Sequence, residues 1–135
     1  MNPTKFDSQT PPSQRQHRRA ARLGGSVADF DMAARVVRFA CRKFAVTSEQ
    51  LEKYGTTRSV RFAQSVAAWL VRRYTSYDLK TIGILFNFRA RTIAAWLAKL
   101  EEDVQASCAL GREMVALDCA FRAFEDGLGG DDKPF

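Results

Sequence analysis

The sequence predicts an all-α fold of about five to six helices, and three observations support this prediction. Apolar residues recur at spacings of three and four along several segments, which is the period of an amphipathic helix. No segment alternates apolar and polar residues for long, and no hairpin dipeptide such as Asn-Gly occurs. Hydrophobic residues make up 46% of the 135 residues, which is enough for the packed core of one small domain.

Residues 1–26 are predicted to be a disordered basic arm. Residues 1–25 contain three prolines, two glycines and many polar side chains, so they can bury too little apolar surface to order themselves. They carry five basic side chains against one acidic side chain. Two interpretations stay open: an inert tail, or an arm that contacts DNA phosphates or the minor groove. The arginines available for that contact are Arg15, Arg18, Arg19 and Arg22.

Residues 27–107 are predicted to form the folded domain. A first helix begins near Val27, with a buried stripe at Phe30, Ala33, Val37, Ala40 and Phe44. Thr47 followed by Gln50 predicts a capping box and a short helix to about Lys53.

A third helix is predicted from about Val60 to Tyr74, after a Thr-Thr-Arg-Ser loop. Its apolar stripe is Ala63, Val66, Ala67, Leu70 and Tyr74. A polar cap for the next helix follows at Thr75, Ser76 or Asp78.

Residues 78–101 are predicted to form a helix-turn-helix motif. Gly83 falls where two helices would approach closely, and Asn87 falls where the chain must leave the first helix. Asn tolerates the left-handed conformation better than any other residue except Gly. Phe88 is predicted to plug the turn, and further apolar residues are predicted to hold the two helices together: Leu79, Ile82, Phe86, Ile93 and Trp96.

The second helix of this motif, which begins near Arg89, is predicted to contact base edges in the major groove. An arginine can donate two hydrogen bonds to guanine, and alanines permit close approach. Two arginines at a helix N-terminus oppose the helix dipole, which indicates a purpose other than helix stability. The predicted base-contacting residues are Arg89, Ala90, Arg91, Ala94 and Ala95, and Ala98 follows on the same face.

A second set of residues is predicted to hold DNA phosphates without recognising sequence. It consists of Lys53, Arg58, Arg61, Arg72, Arg73, Lys80 and Thr92. Residues 26–99 contain thirteen basic against five acidic side chains, whereas residues 100–135 contain three against nine. With a net charge of +6, the chain combines a basic body with an acidic end, as a polyanion-binding protein requires.

Residues 108–128 are predicted to form a C-terminal amphipathic helix, followed by a flexible tail at 129–135. The apolar stripe has a heptad-like spacing at Leu110, Met114, Leu117, Phe121, Phe124 and Leu128. Charged residues, Asp118 among them, are predicted to lie outside this stripe. The helix either packs on the core of its own domain or pairs with a second copy to form a homodimer, and both interpretations stay open.

Other function classes find little support in the sequence. Cys41, Cys108 and Cys119 lack the paired spacing of a zinc site, so we expect buried, reduced thiols. The single histidine, His17, lies in the arm, and no nucleophile–base pair is visible, so we expect neither an enzyme nor a cofactor. Without an apolar run of about 18 residues or a signal peptide, we expect a cytoplasmic protein with no membrane partner.

Five stretches together form a recognisable pattern: Phe44-Ala-Val-Thr-Ser-Glu-Gln-Leu, Arg58 with Arg61, Ala67-Ala-Trp-Leu-Val-Arg-Arg-Tyr-Thr, Leu79-Lys-Thr-Ile-Gly-Ile-Leu-Phe, and Thr92-Ile. In these residues the segment from about Val36 to Glu102 resembles the C-terminal DNA-binding domain of the replication initiator DnaA and of related REP-associated transposases. The resemblance implies a Trp repressor-like fold. It further implies that the helix-turn-helix enters the major groove of DNA and that the loop carrying Arg58 and Arg61 contacts the DNA backbone.

One departure from that family bears on specificity. The initiator's Gly-Gly-Arg-Asp-His-Thr-Thr signature is replaced here by Asn87-Phe-Arg-Ala-Arg-Thr-Ile, so we do not expect binding to the initiator's own box. The predicted function is non-enzymatic binding of double-stranded DNA by a small transcriptional or mobile-element-associated regulator. The alternative is a helical protein-interaction or dimerisation module that has lost sequence-specific DNA recognition.

Overall fold

A computed structural model of the chain describes residues 26–54 and 56–124, and these residues form six helices and no strand. The helices are α1 (Val27–Phe44), α2 (Ser48–Leu51), α3 (Arg58–Tyr74), α4 (Leu79–Phe86), α5 (Ala90–Ala106) and α6 (Cys108–Arg122). The predicted all-α fold is therefore confirmed. The predictions for residues 1–25 and for residues 125–135, Leu128 included, lie outside the described residues.

Five of these six helices begin at a residue whose side chain caps the helix. The cap residues Ser26, Thr47, Thr57, Asp78 and Ser107 each accept a hydrogen bond from the backbone N–H three residues later. The capping box predicted for Thr47 and Gln50 is present, with the two reciprocal hydrogen bonds at 3.0 and 2.8 Å. These polar caps satisfy donors that the first turn of a helix leaves without a partner.

The hydrophobic core lies between α1 and α3 and extends under the remaining helices. Alanines and valines dominate the α1–α3 contact, which lets the two helix axes approach closely: Ala33, Val36, Val37, Ala40, Ala63, Val66 and Ala67 are all fully buried. Ile82 and Phe86 of α4 and Ile93 of α5 close one side of this core. The predicted inward faces of α1 and α3 are thus the buried ones.

Helix α6 packs against its own chain through the predicted apolar stripe. Met114, Leu117 and Phe121 are buried, and the Phe121 ring centroid lies 5.5 Å from that of Phe39 and 5.0 Å from that of Tyr74. This packing is the first of the two interpretations given above. The homodimer stays a prediction.

The expectation that Asp118 lies outside the buried stripe is wrong. Its side chain is buried in a gap between α3 and α6, and the residue is only 5% exposed. It accepts hydrogen bonds from the Tyr74 hydroxyl at 2.5 Å, from Arg73 Nε at 3.1 Å and from Arg122 Nη2 at 2.9 Å. Three donors thus compensate the loss of water around the carboxylate.

Three helix boundaries differ from the predicted ones, among them the end of α6, which lies at Arg122 instead of residue 128. Helix α3 begins at Arg58 instead of Val60, because the Thr57 hydroxyl accepts a hydrogen bond from Val60 N–H at 3.4 Å and starts the helix earlier. Helix α2 ends at Leu51 instead of about Lys53, where the side chain of Gln64 binds the carbonyls that a longer helix would have used.

The prediction of buried thiols is wrong for two of the three cysteines. Cys108 and Cys119 are exposed, because both lie on the side of α6 opposite the buried Met114; their spacing of eleven residues places them on the same side of the helix. Cys41 is half-buried. None of the helices in the described ranges combines the length and the apolar character needed to cross a bilayer.

Candidate nucleic-acid interface

Helices α4 and α5 are joined by a three-residue turn with the predicted left-handed geometry. Asn87, directly after α4, has φ 66° and ψ 41°. The next residue, Phe88, donates a backbone hydrogen bond to the Gly83 carbonyl at 2.7 Å. Together these features reverse the chain tightly after α4 and fix the direction in which α5 leaves.

Gly83 is the place where α4 meets the turn most closely. A Cβ atom at this position would lie 2.4 Å from the carbonyl oxygen of Phe88 and 3.3 Å from the carbonyl carbon of Arg89. Backbone atoms cannot move aside as a flexible side chain can. Any residue other than glycine would therefore push α5 away from α4, as the sequence pattern predicted.

Aromatic side chains hold the turn against α5. Phe88 is buried, and its ring centroid lies 4.7 Å from that of Trp96, the seventh residue of α5. Ile93 is fully buried on the same side of the helix. These contacts confirm the predicted roles of all three residues and leave the opposite face of α5 exposed.

The exposed face of α5 carries three of the five predicted base-contacting residues, namely Arg89, Arg91 and Ala95. Arg89 and Arg91 are exposed at its N-terminal end, and Ala95 and Ala98 continue the exposed face, while Ala90, Thr92 and Ala94 are half-buried beside it. Apart from these two arginines, this face has no large side chain over its first two turns. Acidic residues come only later, at Glu101 and Glu102.

The N-terminus of α5 differs from that of the other described helices. Its cap residue, Arg89, provides no side-chain hydrogen bond to the first turn. Within the described residues, neither Arg89 nor Arg91 has an acidic partner within salt-bridge distance. The positive end of the helix dipole and two guanidinium groups therefore face solvent together, an arrangement that attracts anions.

Six of the seven predicted phosphate-contacting residues fall into three groups, and the seventh, Thr92, is half-buried on α5. Lys53, Arg58 and Arg61 are exposed around the start of α3. Arg72 and Lys80 line one cleft beside the start of α4, together with Thr75, Ser76, Tyr77, Asp78 and Leu79. The structure thus brings Arg72 and Lys80 together, although they come from different helices.

Arg73 forms the third group, because its guanidinium is directed toward α6. It makes an ion pair with Asp118 at 3.1 Å and lies 5.5 Å from the ring centroid of Trp69. Its positive charge is therefore paired with a carboxylate of the same domain, whereas the neighbouring Arg72 lines the cleft beside α4.

Two residues near this surface were not predicted from the sequence. Tyr54 is 69% exposed, yet its ring centroid lies 4.6 Å from that of Phe88 in the turn. Gln64 is a buried amide whose Nε2 lies within 3.3 Å of three backbone carbonyls in and after α2. For Gln64 the sequence did hold a signal, namely a polar residue within the apolar stripe of α3. For Tyr54 it held none, because its partner Phe88 lies 34 positions later in the chain.

Comparison with known proteins finds a similarity to a replication initiator. No family model matches the chain. Over 80 residues, or 59% of its length, the chain is 31% identical to the chromosomal replication initiator protein DnaA of Oleidesulfovibrio alaskensis. The matched stretch spans 17% of the initiator and lies mostly in its C-terminal region. The similarity is therefore to one part of the initiator and not to the whole protein.

Proposed function

We propose that this chain binds double-stranded DNA without catalysing a reaction, with α4 and α5 acting as a helix-turn-helix and α5 lying in the major groove. The observation that carries the proposal is the N-terminal end of α5, where exposed Arg89 and Arg91 have no acidic partner among the described residues and precede exposed alanines. The similarity to the initiator's C-terminal region supports it.

The dimensions of α5 suit this role. The major groove of B-DNA is about 12 Å wide and about 8.5 Å deep, so a helix enters it best with a slim leading face. Ala95 and Ala98 provide that face, with Arg91 at its N-terminal end. Glu102 follows on it about 16 Å beyond Arg91 at 1.5 Å per residue, which keeps its negative charge away from the bases that Arg91 would contact.

Arg89 and Arg91 are the proposed sequence-reading residues. Each can donate two parallel hydrogen bonds to O6 and N7 of a guanine, which contributes about 1–3 kcal/mol of discrimination for a well-placed pair. Ala94 and Ala95 would allow the backbone of α5 to approach the base pairs and contact a thymine methyl group.

The surrounding basic residues are proposed to bind phosphates on both sides of α5. Lys53, Arg58 and Arg61 would act from the start of α3, and Arg72 with Lys80 from the cleft beside α4. Arg73 could bind a phosphate only if its ion pair with Asp118 were broken, so we expect it to contribute least to DNA affinity. Each phosphate neutralised should make log K fall by about 0.9 per unit of log salt concentration.

We further propose that the chain acts as a small transcriptional or mobile-element-associated regulator. The alternative, a protein-interaction or dimerisation module without DNA recognition, has less support, because the stripe that would have served it is buried against α1 and α3.

A selection from a pool of random duplexes tests the proposal. The full chain is mixed with the pool, bound duplexes are amplified and sequenced, and the affinity of the winners is measured at about 50 and about 200 mM salt. A short enriched motif with salt-dependent affinity is the expected result. Failure to retain any duplex at the lower salt concentration would contradict the proposal and favour the interaction module.

A further inference from the structure

We propose that Tyr54 is a further DNA-contacting residue, whose hydroxyl donates a hydrogen bond to a backbone phosphate at the rim of the groove that α5 enters. This inference rests on the proposed function and adds to it a residue from a different part of the chain. It also assigns a role to Gln64 of α3, which holds the backbone before the tyrosine in place.

The surroundings of Tyr54 are unusual for an aromatic residue. Its side chain is mostly exposed, but its ring meets the buried Phe88 ring edge-on at an interplanar angle of 74°. Phe88 in turn packs on Trp96 of α5. The three rings form a continuous row from Trp96 on α5 through Phe88 to Tyr54, so one part of the Tyr54 ring is supported and the rest is exposed to solvent.

Gln64 fixes the backbone that carries Tyr54. From its buried position in α3, Gln64 Nε2 lies 3.3 Å from the Gln50 carbonyl, 3.2 Å from the Leu51 carbonyl and 2.9 Å from the Lys53 carbonyl. The chain is thereby tied to α3 up to the residue before Tyr54. An aromatic side chain held this way loses little conformational entropy when it binds a ligand.

The position of Tyr54 favours a phosphate over a base. Tyr54 contacts the turn that precedes α5, and not the exposed face of α5 that would enter the groove. It therefore lies at the side of the inserted helix, where the sugar–phosphate backbone passes. The neighbouring Lys53 is exposed and adds a positive charge beside the phenol. A phenolic O–H is a good donor to an anionic oxygen.

The test compares three variants of the full chain with the wild type. Tyr54→Phe removes only the hydroxyl and keeps the ring contact with Phe88. Tyr54→Ala removes both, and Val115→Ala is the control, since Val115 is another exposed apolar side chain, 65% exposed on α6. Affinity for a selected duplex and for a random duplex is measured by fluorescence anisotropy at two salt concentrations, and unfolding midpoints verify that each variant is folded.

Tyr54→Phe should bind both duplexes about 3- to 10-fold more weakly, which is the effect of one lost hydrogen bond. The salt dependence should not change, because no charge has been removed. Tyr54→Ala should bind more weakly still, and Val115→Ala should bind like the wild type.

Three results would overturn the inference. If the wild type binds duplex DNA and Tyr54→Phe binds equally well, Tyr54 has no phosphate contact, although the proposed function stands. If the loss is confined to the selected duplex, Tyr54 contacts a base. If the wild type binds no duplex at low salt, the proposed function and this inference fail together.

Discussion

At the scale of single residues, Gly83 and Asn87 determine the angle between α4 and α5. Gly83 provides the space that the Phe88 carbonyl occupies, and Asn87 provides the left-handed backbone conformation that ends α4. Each residue solves a different steric problem, so each can be tested separately with a matched control.

Gly83→Ala should destabilise the fold, because the new Cβ would lie 2.4 Å from a backbone oxygen. We expect a loss of about 1–3 kcal/mol in the free energy of unfolding, as for other overpacked sites. Gly111→Ala in α6 is the matched control. Its Cβ would meet only Val104 Cγ1 at 3.7 Å, so alanine should stabilise that helix by about 0.5–1 kcal/mol. Urea unfolding measures both, and equal effects would contradict the steric account.

Asn87→Val should cost about 1–2 kcal/mol, because a β-branched residue is strained in the left-handed region. Asn87→Gly should leave the stability unchanged or raise it slightly, since glycine adopts this conformation freely. Thermal unfolding of the two variants gives the comparison. A valine variant that melts like the wild type would show that the turn does not need the geometry described here.

The turn was predictable from the sequence because its determinants are local. Gly83 and Asn87 are residue types that the turn itself demands, four positions apart. Ala45 shows the limit of this argument. It also has a left-handed backbone, with φ 54°, at the end of α1, but alanine carries no signal for that conformation. There the packing of the flanking helices, and not residue type, sets the backbone.

At the scale of helices, Asp118 fastens α6 to the end of α3. Burial alone would raise the pKa of this carboxyl, but the hydrogen bond from Tyr74 and the charges of Arg73 and Arg122 outweigh burial and lower the pKa below its ordinary value. A carboxylate whose pKa is lower in the folded than in the unfolded chain stabilises the fold while it is ionised. That stability is lost as the pH falls through the lowered pKa.

Asp118→Asn should therefore reduce the free energy of unfolding by about 1–2 kcal/mol at pH 7, mainly through the weakened Tyr74 hydrogen bond, since both arginine heads are largely exposed. The difference from the wild type should shrink below about pH 4, where the unfolded wild-type carboxyl becomes protonated. Asp103→Asn, which breaks the exposed pair with Lys99, is the control and should change stability by less than about 0.5 kcal/mol. Urea unfolding across the pH range measures all three, and a difference that grows toward low pH would be inconsistent with this role.

Contacts between distant helices explain what the sequence could not predict. Arg73 was predicted to bind phosphate, but its partner Asp118 lies 45 positions later, and no local pattern links the two. The contacts of the Tyr54 ring and of the Gln64 amide likewise form only when α2, α3 and the turn pack together. Periodicity identified the helices and their inward faces, whereas the polar contacts between them required the fold.

At the scale of the whole molecule, charge and shape are both graded along α5. Its N-terminal end is basic and slim, and its C-terminal end carries Glu101, Glu102 and Asp103 and meets α6. A polyanion should therefore be attracted to one end of the helix and repelled from the other, which would orient α5 on the duplex before any base is contacted.

The central claim is that Arg89 and Arg91 recognise sequence, and the most direct measurement compares selectivity with and without them. The ratio of affinities for a selected and a random duplex is determined for the wild type, for the double variant Arg89→Ala with Arg91→Ala, and for Arg112→Ala. Arg112 is an exposed arginine of α6, beyond the acidic end of α5, and serves as the control for lost charge. We predict that the ratio falls toward one in the double variant alone. The affinity of this variant for the random duplex should fall only by the amount expected from the loss of two positive charges. A double variant that keeps the wild-type ratio would contradict the account.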